Sequence, residues 1–145
     1  MKRDGEGCLV APGSPRCVAA SSSDTAPAII ALGGLVVLAG PDGERTVPVT
    51  ALYRDDGIAY LAKRPDEIVT AVLLPPADGL RSTYWKLRRR GSFDFPILGV
   101  AAAARLGRDG TCAEARIVLG AVSSHPVDAT EAAEVLRGRK LTPEL

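Results

Sequence analysis

Two cysteines lie near the N-terminus in the stretch CLVAPGSPRC, where thiols could bind a metal. Cys8 and Cys17 are separated by eight residues in a loop rich in proline and glycine. This separation is wider than the roughly two to four residues usual between paired zinc ligands. The charged residues at 1–8 lack the apolar segment of a secretory signal, so we expect a cytoplasmic, reducing environment that disfavours a disulfide. From the residues alone, the pair is either a metal site or two plain thiols.

Other residues whose side chains could take part in binding or catalysis are scattered along the chain. Asp24 lies in a Ser/Asp/Thr cluster, where helix capping is the simplest interpretation. The basic run KLRRRG at 86–91 indicates a solvated strand face or a contact to a phosphate or anionic cofactor. His125 is the only histidine and precedes a proline in a predicted loop, so we expect a surface residue. Cys112 is expected to be an ordinary thiol. A histidine-based triad or zinc hydrolase is therefore not expected, and GxGxxG, P-loop and HExxH motifs are absent from the sequence.

Composition limits the classes of protein that these residues could serve. The chain has 145 residues, 46% of them hydrophobic, and a net charge of +1, which suits one globular domain or two small lobes. It is neither a disordered tail nor a strongly basic nucleic-acid binder. The longest apolar stretch, 26–39, is interrupted by two glycines and is shorter than the roughly 20 residues of a membrane span. We expect no transmembrane segment.

The first half of the chain predicts a helix, a hairpin and a strand. The cluster SSSDT precedes an apolar run closed by Gly33 and Gly34, which predicts a short helix capped by Ser23 or Asp24. The runs LVVLAG and ERTVPV flank a Pro-Asp-Gly turn and predict a β-hairpin. After a polar connection, EIVTAVLL predicts a strand that ends at two prolines.

The segment Pro75 to Gly79 is turn-forming and is the best internal boundary. Beyond it, STYWKLRRR alternates with period two, which places Tyr84, Lys86 and Arg88 on one face and Trp85 and Leu87 on the other. Two further apolar runs, FPILGVAAAARLG and EARIVLGAVSS, predict a hairpin, although four consecutive alanines leave a helix open. The C-terminal part predicts a helix from about Asp128, capped by Asp128 or Thr130 and stopped by Gly138. The expected fold class is α+β, with an antiparallel sheet and a few short helices.

These segments together resemble the flavin (medium) subunit of the molybdenum hydroxylase family. That family includes xanthine dehydrogenase, carbon monoxide dehydrogenase and 4-hydroxybenzoyl-CoA reductase. The resemblance runs in order through CVAASSSDTAPAIIALGG, DEIVTAVLLPP, YWKLRRRGSFDFPILGVAAAARL and ARIVLGAVSSHPVDATEAAEVLRGRKLT. It implies the second half of a two-lobed FAD-binding domain at 20–76, followed at 77–145 by an incomplete C-terminal domain of the CO dehydrogenase flavoprotein type. In this oxidoreductase family, FAD relays electrons between iron–sulfur clusters and an external carrier.

The resemblance assigns five cofactor-binding residues. The family's Ser-Asp contact to FAD falls on Ser23 and Asp24, and the strand beside the flavin falls on Ile68 and Val69. The lysine of an aromatic-x-Lys pattern falls on Lys86. Each assignment is chemically sensible, because a carboxylate accepts hydrogen bonds, apolar residues can flank a planar ring, and a lysine supplies positive charge.

The two N-terminal cysteines most resemble part of a cluster loop in the β subunit of 4-hydroxybenzoyl-CoA reductase. That loop holds an additional 4Fe-4S cluster with four cysteines, of which the last two are separated by eight residues, as Cys8 and Cys17 are here. The resemblance therefore implies that residues 1–19 are a remnant of this loop and that Cys8 and Cys17 are metal ligands.

The sequence also departs from the family pattern. The glycine-rich turn for the FAD pyrophosphate and two cysteines are missing, and the chain ends at LTPEL, before the family's last helices. We therefore expect a fragment that binds FAD only when the missing half completes it and is not active alone. The implied partners are a molybdenum-cofactor subunit and a 2Fe-2S subunit of a heterotrimer. The alternatives are a noncatalytic assembly module and a small zinc or redox thiol protein that uses all three cysteines.

Overall fold

The computed structural model describes residue 8 and residues 10–142. In this part of the chain, the strands form two antiparallel sheets, ordered β2-β1-β3 and β4-β5-β6-β7. The first sheet contains β1 (Leu35–Gly40), β2 (Gly43–Pro48) and β3 (Ile68–Leu73). The second contains β4 (Leu80–Leu87), β5 (Leu98–Leu106), β6 (Cys112–Gly120) and β7 (Val127–Asp128). The helices are α1 (Thr25–Ala31), α2 (Val49–Leu52) and α3 (Thr130–Leu136). The predicted α+β class with antiparallel pairing is confirmed.

Helix α1 begins and ends where the sequence predicts. The Ser23 hydroxyl accepts a hydrogen bond from the Ala26 N–H at 3.1 Å, which satisfies one of the free donors of the first turn. At the other end, Gly33 has φ +76°, a conformation that side chains disfavour. Its N–H donates to the Ile30 carbonyl at 2.9 Å. The helix therefore stops on a glycine turn that leads directly into β1.

The core forms where α1 and α2 connect the two sheets, because α1 packs on the second sheet and α2 on the first. Helix α1 packs against β5 and β6, and it also contacts α2. The buried side chains that form this core come from both sheets and both helices: Ile30, Ala31, Val36, Leu38, Val49, Leu52, Ala101, Ala103 and Val118. These residues form one buried cluster, so the two sheets share a core in which α1 takes part.

The run of four alanines forms a strand. Strand β5 pairs along its length with β4 on one side and β6 on the other. Ala101 and Ala103 are buried, and their small side chains let α1 lie close to the sheet. Sheet pairing on both edges outweighs the helix propensity of alanine. The predicted hairpin is confirmed, and the helical alternative is wrong.

The C-terminal helix begins later than predicted. Asp128 belongs to the short strand β7, where it pairs with Val118. Helix α3 starts at Thr130, and Ala129 occupies the cap position without a side-chain hydrogen bond. The predicted caps at Asp128 and Thr130 are therefore both wrong, because Asp128 pairs with β6 and Thr130 is already the first residue of the helix. Within the described residues, no helix has the length and apolar character needed to cross a membrane.

Candidate functional site

The Asp24 side chain does not cap α1, although Asp24 is the residue immediately before the helix. No side-chain cap hydrogen bond is formed by Asp24, and the neighbouring Ser23 supplies the cap instead. The Asp24 carboxylate points to β4 of the second sheet. Because Ser23 caps the helix, the Asp24 carboxylate is available for another role.

Two donors from one face of β4 hold the Asp24 carboxylate. The Tyr84 hydroxyl donates to Oδ1 of Asp24 at 2.8 Å, and the Lys86 ammonium donates to Oδ2 at 2.7 Å. The predicted strand β4 is confirmed, and its alternation places both donors on the side that faces α1. The structure thus brings together Asp24 and Lys86, two of the predicted site residues, and adds Tyr84.

The pKa values of Asp24 and Tyr84 are shifted in opposite directions. The hydrogen bond from Lys86 lowers the pKa of Asp24 below its usual value, with a smaller contribution from Tyr84. Burial, followed by the hydrogen bond to Asp24 and the Asp24 charge, raises the pKa of Tyr84 to about 12. Asp24 is therefore an anion at neutral pH, and Tyr84 remains a neutral hydrogen-bond donor. The Asp24 side chain is still 43% exposed, so part of the carboxylate faces solvent.

A cleft of about 250 Å³ opens beside this group. It combines cations with aromatic rings, and Phe93 is almost fully exposed at its edge. Asp94 in the same lining accepts a hydrogen bond from Arg90 at 3.0 Å. The residues that line the cleft are Ser22, Asp24, Lys86, Arg88, Arg90, Phe93, Asp94, Phe95 and Pro96. Such a lining suits a planar ligand that also carries hydrogen-bonding groups.

Ile68 and Val69 lie outside the lining of this cleft. Both belong to β3, an edge strand of the first sheet, where Ile68 is 65% and Val69 45% exposed. The register between β1 and β3 shifts after Val69, so that Thr70 is an extra residue in the strand. A bulge at this point redirects the side chains on either side of it. The two residues offer an uncovered apolar surface, separate from the group around Asp24.

Cys8 and Cys17 are both buried. The N–H of Ala11 donates to the Cys8 sulfur at 3.4 Å, and such backbone donors lower the pKa of this thiol. The Cys17 carbonyl accepts from the Gly57 N–H at 2.9 Å. In the described part of the chain, no three His, Cys, Asp or Glu side chains are grouped so that they could hold a metal ion.

Asp55 connects the cysteine loop to the segment after β6. The Arg16 guanidinium lies 2.8 Å from Oδ1 of Asp55, and His125 Nδ1 lies 3.3 Å from the same oxygen. The hydroxyl of the buried Ser124 also donates to this oxygen, and it is the main cause that lowers the pKa of Asp55. His125 is therefore a partly buried neighbour of a carboxylate, not the isolated surface residue that the sequence suggests.

Sequence reasoning missed Tyr84 and Asp55. The period-two alternation already placed Tyr84 beside Lys86, and this was a usable signal for a shared partner. Asp55 gave no such signal, because its partners lie 39 or more residues away along the chain.

Each half of the chain matches a known domain family. Residues 13–77 match the FAD binding domain in molybdopterin dehydrogenase, and residues 82–145 match the CO dehydrogenase flavoprotein C-terminal domain. The two matches are consecutive and meet near the predicted boundary between the sheets. The fold is therefore that of these two flavoprotein domains.

Individual relatives agree with this assignment. The aldehyde oxidoreductase FAD-binding subunit PaoB of Escherichia coli (strain K12) is 31% identical over 136 residues, which cover 84% of this chain and 41% of PaoB. The nicotinate dehydrogenase FAD-subunit of Eubacterium barkeri is 29% identical over 125 residues, which cover 85% of this chain and 42% of that subunit. A chain of the carbon monoxide dehydrogenase from Hydrogenophaga pseudoflava superposes with a TM-score of 0.74 at 28% identity, covering 87% of this chain and 43% of that one. The chain thus spans less than half the length of these relatives.

Proposed function

Because this chain is related to the FAD-binding subunits of the molybdenum hydroxylase family, we propose that it contributes part of an FAD site in an electron-transferring oxidoreductase. The observation that carries this proposal is the pairing of Asp24 with Lys86. These side chains come from different matched segments and meet beside a cleft with aromatic and basic lining. A cofactor site is a physical reason for such a convergence.

The described residues fit a portion of FAD. Sites for whole small molecules usually have roughly 300–1,000 Å³, whereas this cleft has about 250 Å³. The cleft has a free cation, Arg88, which has no ion-pair partner among the described residues. We therefore assign to the cleft one planar or polar part of the cofactor, with the remaining contacts coming from elsewhere.

Each proposed cofactor residue has a distinct task. FAD, when bound, supplies reversible electron storage, and its reduced form carries more negative charge. Lys86 supplies a positive charge beside it, and the exposed part of the Asp24 carboxylate accepts hydrogen bonds from hydroxyl or imide groups. Ile68 and Val69 offer an apolar surface. Ser23 orders the turn from which Asp24 projects.

The two N-terminal thiols do not complete a cluster site. A 4Fe-4S cluster takes four thiolates, and the described residues supply only Cys8 and Cys17 near the N-terminus. We propose that the loop is one half of a cluster site of the 4-hydroxybenzoyl-CoA reductase type, on the strength of the spacing of Cys8 and Cys17 and the burial of both residues. No electron-transfer step is assigned to it.

The proposed partners are a molybdenum-cofactor subunit and a 2Fe-2S subunit, with the chain relaying electrons between clusters and an external carrier. A second candidate function is assembly without a cofactor. It is favoured by apolar side chains on the outer face of β4, where Trp85 is 75% and Leu87 58% exposed. Large exposed apolar residues often mark surfaces that other chains cover.

FAD retention separates these two functions. The purified chain would be mixed with FAD, alone and together with the part of Escherichia coli PaoB outside its region of similarity, and then passed through gel filtration. We expect flavin absorbance to elute with the protein at least in the mixture. A well-folded chain that retains no flavin in either sample would contradict the FAD proposal and favour assembly.

The Lys86 charge is expected to set the potential of bound FAD. Replacing Lys86 by alanine should make the reduction potential roughly 20–40 mV more negative, because about 1–2 kcal/mol of favourable charge interaction with the reduced cofactor is lost. The thermal midpoint should change little, because the Asp24 carboxylate is 43% exposed and water can solvate it when Lys86 is absent. Lys140→Ala, outside the cleft, is the control. An unchanged potential would place Lys86 away from the cofactor.

A further inference from the structure

We propose that Tyr84 is a positioning residue that fixes the orientation of the Asp24 carboxylate, and that Gly99 on β5 keeps open the space its phenol occupies. This inference rests on the proposed FAD site and adds two residues to it. Neither residue was assigned a role by the spacing of motifs or by the family resemblance.

The geometry fixes the carboxylate at both oxygens. The Tyr84 hydroxyl donates to Oδ1 at 2.8 Å, while the Lys86 ammonium donates to Oδ2 at 2.7 Å. Both donors belong to one strand, so β4 holds the plane of the carboxylate relative to the cleft. An ionised carboxylate can accept about four hydrogen bonds, which leaves capacity on each oxygen for a ligand. The two donors therefore determine the direction in which the carboxylate can accept hydrogen bonds from a ligand.

Tyr84 is the more rigid of the two donors. Lysine reaches its partner through a flexible four-carbon stem, and such a contact can follow a rotating carboxylate. The phenol ring has two rotatable bonds, and it packs against the hydrophobic core. Its hydroxyl therefore has a nearly fixed position. Without it, Asp24 would stay charged and paired with Lys86 but would lose the contact that defines its rotation.

Gly99 makes this position of the phenol possible. It lies directly opposite Lys86 in the β4–β5 pairing. A Cβ atom at residue 99 would lie 2.6 Å from the Tyr84 hydroxyl oxygen and 3.2 Å from Cε2 of the same ring. The backbone of Gly99 is not in the left-handed region, unlike that of Gly33. The glycine is thus needed for space, and any side chain would push the phenol away from Asp24.

Three variants test the proposal: Tyr84→Phe, Gly99→Ala and the double variant. Tyr60→Phe is the matched control, because it removes a half-exposed phenol hydroxyl outside the cleft. The first measurement is an NMR titration of the Asp24 carboxyl carbon in the full chain without FAD. We expect both single variants to raise the pKa of Asp24, and the double variant to raise it no further than the larger single effect. Such non-additivity is expected when two changes break one contact.

The second measurement is the affinity for FAD in the sample that retains it. Tyr84→Phe should weaken binding about threefold to tenfold and Tyr60→Phe should leave it unchanged, since a hydrogen-bonded anion would lose its fixed orientation. An Asp24 titration that is unchanged in folded Tyr84→Phe would overturn the positioning role. If Gly99→Ala does not fold, Tyr84→Phe alone decides. Absence of FAD binding by the unmodified chain both alone and in the mixture would instead overturn the proposed function, and the titration would still test the positioning of Asp24.

Discussion

Glu67→Gln is expected to lower the thermal midpoint of unfolding by roughly 10 °C. The Glu67 side chain is 2% exposed and accepts two hydrogen bonds from the Arg45 guanidinium, at 2.7 and 2.9 Å. It also accepts the Arg64 N–H at 2.6 Å. Glutamine would present one NH₂ group to these donors and would leave Arg45 without its counter-charge. This network anchors the start of β3, so its loss should loosen the strand that carries Ile68 and Val69.

The same carboxylate predicts a pH dependence of stability. The Arg45 hydrogen bonds, with help from the Arg64 N–H, lower the pKa of Glu67 from the usual 4.5 to about 2. A carboxylate with a lowered pKa in the folded state stabilises the protein above its unfolded pKa. That stabilisation should be lost as the pH falls from about 4.5 towards 2. The difference in stability between the unmodified chain and Glu67→Gln should therefore shrink across this range.

Thermal unfolding followed by circular dichroism at several pH values checks both expectations. Asp66→Asn is the matched control, because it removes a neighbouring carboxylate that is exposed and pairs with Arg64 at 3.4 Å. It should shift the midpoint by only a few degrees. Equal midpoints for Glu67→Gln and Asp66→Asn would show that the Glu67 network does not anchor β3.

Asp24→Asn is expected to weaken FAD binding by about 10- to 100-fold in the sample that retains FAD. Asparagine keeps the shape of the side chain but has no charge, and its NH₂ group would face a donor, either Tyr84 or Lys86. It would therefore lose hydrogen-bond acceptors for the ligand and leave the Lys86 charge unpaired.

The measurement is a titration of FAD followed by the quenching of its fluorescence. Asp42→Asn serves as the control, because Asp42 is an exposed carboxylate that pairs with Arg64 outside the cleft. Equal affinities of Asp24→Asn and the unmodified chain would remove Asp24 from the cofactor site. A matching loss of thermal stability in Asp24→Asn would indicate a structural role instead.

Local features of the fold were predictable from short segments. The cap at Ser23 and the glycine stop at Gly33 depend on backbone conformation within a few residues. The hairpin of β1 and β2 depends on its turn, and the alternation in β4 depends on the two-residue period of a strand. Each of these predictions is confirmed because neighbouring residues determine the outcome.

The later elements show where local reasoning leaves an alternative open or fails. The alanines of β5 left a helix open beside the predicted hairpin, and pairing on two edges makes them a strand. Asp128 has the chemistry of a cap, yet β7 takes it into the sheet. In both cases the competing interaction comes from a distant segment, which propensity cannot include.

The sequence by itself determined the positions of α1, β1, β2 and β3, the shared face of Tyr84 and Lys86, and the family resemblance, but it did not predict α2. Only the tertiary structure decided that Asp24 leaves the cap to Ser23 and meets two donors 60 and 62 residues away. It also decided that Glu67 is buried against Arg45 and that Asp55 joins Arg16 to His125. The physical reason is that a cap or turn is satisfied within one stretch of backbone, whereas a charged pair requires sheet register and helix packing to bring remote side chains within hydrogen-bond distance.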